Sequence, residues 1–383
     1  MRILYYNPYD FGGVADHVQF QSSALNKLGC EITILTTNKF NNERNSSEYE
    51  CVTTLIGSDS GSQSKWWFIR KFKTFLRIVR NHYKLYSYIK PNSFDRVLIS
   101  NFSEYMAPIW FYPLYRLRKK GVKFGVFLHD PVRKFVVGPY WWHRLSIWCA
   151  YTFASEVFLY ADIEPDTVWE VPGFRKTIIT DGIYHFPDPI KSIEQTKETL
   201  NIPDGAKVML AFGHIRDEKK LDLFISQMGS MPDLFLIVAG KEQKNQDKVI
   251  SDYQKIAKDV KVAERCRWLT HYVSNEEASE LFNASDFVLL TYSSSYVSAS
   301  GVLFLAVRYR KPCLASSGES PLKKAVNEYE LGVFIEPDSP PAIAEGMHQL
   351  IGDNRSFHPQ WEKFMSKHSW EKNAEEIYMA FGE

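Results

Sequence analysis

The first half of the chain alternates short apolar runs with longer stretches whose apolar residues recur at helical spacing. The runs predict buried strands at residues 2–7, 31–36, 96–99, 123–128 and 156–160. A polar stretch at 38–50 predicts a loop, and a long helical pattern starts at Lys65 and stops at Pro91. Strands separated by helices predict a parallel, doubly wound sheet.

The second half restarts the same rhythm, with predicted strands at residues 207–212, 234–239, 267–272, 287–290, 312–315 and 333–335. Ser274 and Glu277 have the spacing of a capping box at the start of a helix. The proline-bearing segment 185–189 predicts a domain boundary. We therefore expect an α/β protein with two Rossmann-like domains, at 1–188 and 189–360, whose ligands bind in a central cleft at the carboxyl ends of the strands.

Composition narrows the classes of function. The 383 residues are 45% apolar, enough for two cores, and the net charge of +1 argues against a protein that coats nucleic acid. The five cysteines have no metal-ligand spacing, so we expect neither a zinc site nor a disulfide framework. The scattered, odd number of cysteines favours a reducing cytoplasm. No signal-peptide pattern opens the chain and no apolar run approaches about 20 residues, so we expect a soluble or peripheral protein.

Gly12 and Gly13 lie between the first predicted strand and the first helix. Glycines there let a ligand approach the backbone, and a helix N-terminus offers free N–H donors to a phosphate. The pair also suits an ordinary tight turn. It is not the G-x-G-x-x-G pattern, which disfavours a dehydrogenase.

Arg216 and Lys219 follow the first strand of the second half, just before an amphipathic helix. Two cations at a strand end could neutralise a diphosphate and the charge that develops as a glycosidic bond breaks. Because Asp217 and Glu218 lie between them, a solvated loop with helix-flanking charges is the alternative.

A third candidate is the serine-rich segment that follows the strand ending near Tyr292, where Ser300 and Gly301 open an apolar helix. Small residues at a helix N-terminus form a ready anion site. An ordinary helix cap by Ser300, with Gly301 allowing close packing, is the alternative.

Taken in order, these pieces resemble the retaining glycosyltransferases of family four, which have the GT-B fold. The resemblance is carried by the Gly-Gly loop, G-x-I-R-x-x-K, V-S-N-E-E-A-S-E-L-F-N-A-S-D, S-G-V-L-F-L-A and the final K-P. It covers most of the chain and is strongest from Lys207 to Met347. It implies a nucleotide-sugar-binding second domain and a C-terminal helix, 361–383, that crosses back to the acceptor-binding first domain.

The resemblance also implies roles for individual residues. Arg216 and Lys219 would hold the donor diphosphate, and the donor site would further include Tyr292, Ser300, Gly301 and Val302. Gly12 and Gly13 would approach the same diphosphate from the first domain. His129, in the FLHDP segment with Asp130 beside it, would face the transferred sugar; a histidine at a strand end is otherwise a common structural residue.

The chain departs from the family pattern in two places. Val297 and Leu305 occupy the slots of the usual paired glutamates, the later of which binds the nucleotide ribose, so the chain is either a variant branch or an inactive copy. The common arginine after the strand glycine is His214 here, with Arg216 two places later. No D-x-D sequence is present, and we expect basic side chains rather than a metal to hold the diphosphate, with no other cofactor.

The segment from Lys65 to Lys90 contains basic and aromatic residues and no acidic one. This composition is typical of an interfacial helix attracted to anionic lipid, and residues 135–148 add a second aromatic-basic patch. A core helix with a basic outer face is the alternative. Single-stranded nucleic acid is disfavoured because the rest of the chain is near neutral or acidic.

We therefore expect a peripheral membrane enzyme that transfers a hexose from a UDP- or GDP-sugar to a glycan acceptor carried on a polyprenyl diphosphate, in cell-surface polysaccharide synthesis. A nucleotide-sugar 2-epimerase of the same fold is a first alternative, which the basic aromatic helix counts against. The missing glutamates motivate the second, a non-catalytic transferase-like partner in an assembly complex.

Overall fold

The structure, a computed structural model, describes residues 1–57, 67–90, 92–129, 136, 138–160, 162, 175–243, 246–352 and 357–382. The chain forms two compact units, one of Met1–Gly182 with His368–Glu383 and one of Ile183–Lys367. The predicted boundary after residue 188 lies six residues later than this division. Ile183 is the reason, because its side chain is buried in the apolar core of the second unit.

Strands alternate with helices along most of the chain. The strands are β1 (Arg2–Tyr6), β2 (Glu31–Thr36), β3 (Glu50–Thr53), β4 (Arg96–Ile99), β5 (Lys123–Leu128), β6 (Glu156–Leu159), β7 (Arg175–Ile178), β8 (Lys207–Phe212), β9 (Leu234–Ala239), β10 (Cys266–Leu269), β11 (Phe287–Thr291), β12 (Cys313–Ser316) and β13 (Gly332–Phe334). The helices are α1 (Gly13–Lys27), α2 (Asn38–Arg44), α3 (Trp67–Ile89), α4 (Ala107–Lys119), α5 (Tyr140–Thr152), α6 (Ile193–Thr199), α7 (Leu221–Gln227), α8 (Ile250–Asp259), α9 (Asn275–Ala284), α10 (Gly301–Arg308), α11 (Pro321–Glu328), α12 (Pro340–Ile351), α13 (Trp361–Lys367) and α14 (Trp370–Gly382).

Each unit contains one parallel sheet with the strand order of a doubly wound fold. In the first unit the order is β3-β2-β1-β4-β5-β6-β7, and in the second it is β10-β9-β8-β11-β12-β13. The order reverses between β1 and β4 in the first sheet and between β8 and β11 in the second. Ligands of such sheets bind beyond the carboxyl ends of the strands at these switch points, so the fold confirms the predicted α/β class and directs attention to those two places.

Most of the predicted strands form within a few residues of their expected bounds. The segment at 38–50, however, is not the loop that its composition predicts. It contains α2 and the beginning of β3. The Thr37 hydroxyl caps α2 by accepting a hydrogen bond from the Phe40 N–H at 3.2 Å. Arg44 at the end of α2 forms a buried ion pair with Asp16, 2.9 Å away. Polar composition therefore reflected a capped helix with a buried charge, and not a loop.

The predicted first sheet also lacked its two edge strands, because neither β3 nor β7 was recognised. Strand β7 pairs in parallel with β6, and three of its four residues, Arg175, Lys176 and Ile178, are exposed. An edge strand of this kind has no apolar run. Its pairing with β6, rather than its composition, makes it a strand.

The C-terminal segment 361–383 consists of two helices and not one. In α13, the Phe364 ring is buried against Phe304 and Tyr329, so this helix belongs to the second unit. The break precedes Ser369, whose hydroxyl accepts the Lys372 N–H at 3.1 Å and caps α14. Helix α14 packs on the first unit.

Helix α14 is held in the first unit by buried polar contacts and close packing. Gln21 of α1 donates to the Asn373 side chain at 2.7 Å. The Glu376 carboxylate accepts the N–H of Thr180 at 2.6 Å. A Cβ on Gly125 of β5 would stand 2.6 Å from the Phe381 ring, so a glycine is required where α14 crosses the sheet.

Half of the predicted capping box forms at the start of α9. The Ser274 hydroxyl accepts the Glu277 N–H at 3.2 Å, whereas the Glu277 carboxylate contacts His271 Nε2 at 2.9 Å.

No helix in the described part of the chain combines the length and apolar character needed to cross a membrane.

Candidate functional site

The switch point of the second sheet is built from the loops that follow β8 and β11. The Ser293 N–H donates to the carbonyl of Glu218 at 2.8 Å, and the Thr291 hydroxyl donates to the carbonyl of Lys219 at 3.1 Å. These bonds join the two predicted donor-binding segments, which are about 70 residues apart in sequence.

Lys220 reinforces this junction in a strained backbone conformation. Its φ of 49° lies in the left-handed region, which costs a non-glycine residue about 1–2 kcal/mol. Its ammonium contacts Asp338 at 3.0 Å, and the same carboxylate accepts the N–H and hydroxyl of Ser294 at 2.8 and 2.7 Å. Strain in a loop at a switch point is typical of a functional site.

Lys219 points back towards the end of β8, where its ammonium donates to the carbonyl of Phe212. Gly213 has a φ of 87°, and a Cβ added there would lie 3.4 Å from Lys219 Nζ and 3.8 Å from Val302 Cγ2. The ammonium and the Val302 side chain in the first turn of α10 thus both lie close to Gly213. Burial, together with the smaller effect of the positive charge of Arg216, lowers the pKa of Lys219 to about 7.

Arg216 lies beside two stacked aromatic rings on the opposite loop. Its guanidinium carbon is 5.9 Å from the ring centroids of both Tyr292 and Tyr296, and Nη2 lies 3.4 Å from the Glu218 carboxylate. Arg216 Nε is buried and has no hydrogen-bond partner among the described residues. Burial also lowers the pKa of His214, as do Lys219, Arg216 and Lys241, which marks this region as electropositive.

The N-terminus of α10 faces open space. Ser300 does not cap the helix with its side chain, because its hydroxyl pairs with the Tyr292 hydroxyl at 3.0 Å. Gly301 is exposed, and a Cβ built on it would meet no atom within 4 Å. The first backbone N–H groups of α10 are therefore accessible to an anion near Lys219.

Val297 and Leu305 stand at the two positions where the family pattern has glutamates. Leu305 is only 5% exposed and packs in the core beneath α10, and Val297 is 38% exposed in the loop after β11. Neither side chain can accept a hydrogen bond from a ribose hydroxyl.

In the first unit, Gly12 and Gly13 form the turn that enters α1. Gly12 has a φ of 81°, and no side chain caps the helix. A Cβ on either glycine would meet no atom within 4 Å. The helix N-terminus is thus open in the same manner as that of α10.

A buried network anchors the loop that carries these glycines. Arg44 donates to the carbonyl of Asp10 at 3.0 Å and pairs with Asp16 of α1. The Asp10 carboxylate accepts a hydrogen bond from the Thr37 hydroxyl. Arg44 and Asp16 were not recognised from the sequence, because their pairing requires α2 to pack beside the start of α1.

His129 lies at the carboxyl end of β5 and is partly buried. Its Nε2 is 3.2 Å from the carbonyl of Ser100 at the end of β4. Its ring stacks on Tyr160 at 5.6 Å and meets His17 edge-on at 5.4 Å. Burial lowers the pKa of His17 well below its usual value, and His129 lowers it further. Asp130 lies outside the described residues.

Several further residues of these two places were missed by the sequence analysis. Glu218 was considered only as a reason to doubt the site, and Tyr296 lay unremarked in the serine-rich segment. Gly213 carried one signal, since a glycine directly after a buried strand often marks a positive φ. Tyr160 carried none, because its contact with His129 depends on the pairing of β5 with β6.

The second half of the chain matches a known protein family. Residues 192–376 match the family model described as "Glycosyl transferases group 1". No curated protein matches the sequence.

Solved structures resemble the whole chain. HepE of Anabaena, solved with UDP and glucose, is 13% identical, with a TM-score of 0.71 over 100% of this chain and 99% of that one. The sucrose-phosphate synthase of Thermosynechococcus elongatus is 14% identical, with a TM-score of 0.68 over 100% and 98% of the two chains. WaaG, a glycosyltransferase involved in lipopolysaccharide biosynthesis, is 15% identical, with a TM-score of 0.65 over 99% of each. At these identities the likeness shows the fold, which is GT-B.

The geometry of the first loop predicts different outcomes for its two glycines. Gly12→Ala places a side chain at a φ of 81°, which only glycine adopts readily, and should reduce the free energy of unfolding by about 1–3 kcal/mol. Gly13→Ala lies in the first helical turn with open space around it, and should be neutral or slightly stabilising. Urea unfolding of both variants measures the difference; equal midpoints would contradict the assigned strain.

Proposed function

We propose that this chain, which carries a glycosyltransferase group 1 domain at residues 192–376, transfers a hexose from a nucleotide diphosphate sugar to a lipid-linked glycan acceptor. The transfer retains the configuration of the sugar and serves cell-surface polysaccharide synthesis. The observation that carries the proposal is the switch point of the second sheet, where Arg216, Lys219 and the open N-terminus of α10 converge.

These groups suit the leaving diphosphate of a glycosyl transfer. As the bond between the sugar and the diphosphate breaks, negative charge grows on the phosphate oxygens. Lys219 and the Val302 side chain in the first turn of α10 both lie close to Gly213, and the planar guanidinium of Arg216 can bind two oxygens at once. Preorganised positive groups stabilise such charge most effectively in a partly buried site. We propose that they do so without a metal ion.

The proposed reaction also uses the first unit. Gly12 and Gly13 would approach the diphosphate through their backbone, and His129 would contact the transferred sugar through its ring or carbonyl. The acceptor hydroxyl attacks the sugar carbon from the face that the diphosphate leaves. One carbon–oxygen bond forms as the other breaks, and the hydroxyl proton passes to an oxygen of the leaving phosphate.

The structural relatives support the choice of donor and acceptor class. HepE of Anabaena was solved with UDP and glucose and also with UDP-glucose, and WaaG is described as acting in lipopolysaccharide biosynthesis. By this analogy the donor here is UDP- or GDP-linked and the acceptor is part of a surface glycan.

A second candidate is a non-catalytic transferase-like partner that binds a nucleotide sugar. The buried apolar Leu305 and the exposed apolar Val297 favour this non-catalytic candidate. At the position of Leu305, where the family pattern has a ribose-binding glutamate, no hydrogen bond to the ribose can form. A measurement of donor turnover separates the two candidates.

We further propose that α3 docks the protein on the inner face of an anionic membrane. Phe68 and Phe72 are 58% and 60% exposed, and Arg70, Lys71 and Lys73 between and beside them are exposed as well.

The C-terminal half of α3 is less exposed than this N-terminal half. Its buried residues are Asn81, His82, Leu85 and Ile89. The alternative of a core helix therefore describes only the C-terminal half. Of the predicted segment, Lys65 and Trp66 lie outside the described residues.

An assay of sugar transfer tests the main proposal. Wild-type protein, with a screen of UDP- and GDP-sugars, EDTA and membrane extract as acceptor, should turn over one donor. Arg216→Ala with Lys219→Ala should lower kcat/KM at least about 10²-fold, because two groups that meet the developing charge are removed. Lys255→Ala with Lys258→Ala, which removes two exposed cations of α8, is the matched control and should retain activity. Donor binding without turnover would favour the non-catalytic candidate.

The lowered pKa of Lys219 predicts that binding of a nucleoside diphosphate takes up a proton. At about pH 8 the empty site holds Lys219 mainly neutral, since its pKa is about 7 instead of 10.5. A bound diphosphate favours the charged form, so nearly one proton is absorbed, and the uptake fades as the pH falls below 7. Calorimetry in buffers of different ionisation enthalpy measures it. Lys219→Met should abolish the uptake; an unchanged value would assign it to another group.

The membrane proposal predicts binding to vesicles that contain anionic lipid. Lys71→Gln with Lys73→Gln should weaken co-sedimentation with such vesicles by about 2 kcal/mol, since each basic residue near the surface contributes about 1 kcal/mol. Lys363→Gln with Lys372→Gln, which removes two exposed cations elsewhere, is the matched control. Equal weakening by the two pairs would mean that net charge, and not α3, drives the binding.

A further inference from the structure

A pair of stacked tyrosines lies against the guanidinium of Arg216. The rings of Tyr292 and Tyr296 are 4.0 Å apart between centroids and inclined by 11°, and Arg216 is 5.9 Å from both centroids. We infer that Tyr292 and Tyr296 are positioning residues, which hold Arg216 in the orientation that binds the donor diphosphate. The inference rests on the proposed function, because it assumes that Arg216 meets a diphosphate.

The tyrosine pair is itself fixed. Tyr292 is 3% exposed and Tyr296 5% exposed, so neither ring can turn away from Arg216 without opening the core. The backbone of Tyr292 is held by β12, since its N–H donates to the Ser316 carbonyl at 2.9 Å and its own carbonyl accepts the Ser316 hydroxyl at 2.8 Å. The rings therefore act as a rigid platform.

The same platform is connected to the N-terminus of α10. The Tyr292 hydroxyl pairs with the hydroxyl of Ser300, the residue that directly precedes the helix. The cation on one loop and the helix N–H groups on the other are thus held in a defined relation. Both groups are needed around one diphosphate, and holding them before binding lowers the entropic cost of ordering them.

The guanidinium of Arg216 lies beside the tyrosine stack and not over a ring face. Its central carbon is 5.9 Å from two centroids that are only 4.0 Å apart, so it stands level with the gap between the rings. The Arg216 side chain is nevertheless 29% exposed, with the Glu218 carboxylate 3.4 Å from Nη2. An arginine held at one edge in this way can still bind phosphate oxygens in the plane of its guanidinium.

Two substitutions of Tyr296 test the inference. Tyr296→Leu removes a ring that packs beside Arg216 and should weaken binding of the preferred nucleoside diphosphate, UDP or GDP, about tenfold, because the arginine must then be ordered on binding. Tyr296→Phe keeps the ring but removes the hydroxyl, which donates to the Ala299 carbonyl, and should bind as the wild type does. Tyr309→Leu is the matched control, because Tyr309 also stacks on a ring, that of Phe282, but at the opposite end of α10.

Two readouts separate positioning from a general loss of packing. The preference for the nucleoside diphosphate over the corresponding monophosphate should fall in Tyr296→Leu and stay unchanged in Tyr309→Leu, although both lose thermal stability. In an Arg216→Met background, Tyr296→Leu should cause no further loss of affinity, because the group that it positions is absent.

The outcomes distinguish this inference from the proposed function. Equal loss of affinity with and without Arg216 would overturn the positioning role and leave the donor site in place. Failure of the wild type to bind any nucleoside diphosphate would overturn the proposed function and the inference with it. Loss of affinity only where Arg216 is present would support both.

Discussion

The candidate site depends on keeping two positive charges, Arg216 and Lys219, close together at the switch point of one sheet. Like charges in a partly buried place repel, and the pKa of Lys219 falls to about 7 as a result of burial and of Arg216. The protein tolerates this through specific contacts: Lys219 donates to the carbonyl of Phe212, and Arg216 has Glu218 and two tyrosine rings beside it. A bound diphosphate would relieve the remaining repulsion.

In both units a glycine with positive φ forms the turn that follows the first strand of the sheet. Gly12 follows β1 with a φ of 81°, and Gly213 follows β8 with a φ of 87°. The parallel is physical, because a chain that leaves the first strand of a doubly wound sheet must turn sharply towards the switch point. The second site differs in its close backbone packing, since a Cβ on Gly240 would stand 2.2 Å from the Gly213 carbonyl oxygen.

Around these turns, each unit uses buried or paired charges to hold its loop. In the first unit, Arg44 pairs with Asp16 and binds the carbonyl of Asp10, so the Gly-Gly turn rests on a buried cation. In the second, Lys220 and Ser294 meet on the carboxylate of Asp338. Partial desolvation raises the pKa of this exposed carboxylate, but hydrogen bonds from Ser294 and Lys220 outweigh that effect and keep the pKa below the usual value. Loops pinned in this way can present backbone N–H groups without reorganisation.

The sequence by itself determined most of the strands, the two doubly wound halves and the loops that follow β1, β8 and β11, because alternation of apolar runs and glycine placement are local signals. It did not determine α2, the edge strands β3 and β7, or the break between α13 and α14, which depend on a buried ion pair, edge pairings and the burial of Phe364. Nor did it show that Tyr292 and Tyr296 stack beside Arg216 or that Leu305 faces a core. Those contacts join residues from separate strands and loops, so only the packing of the folded unit decides them.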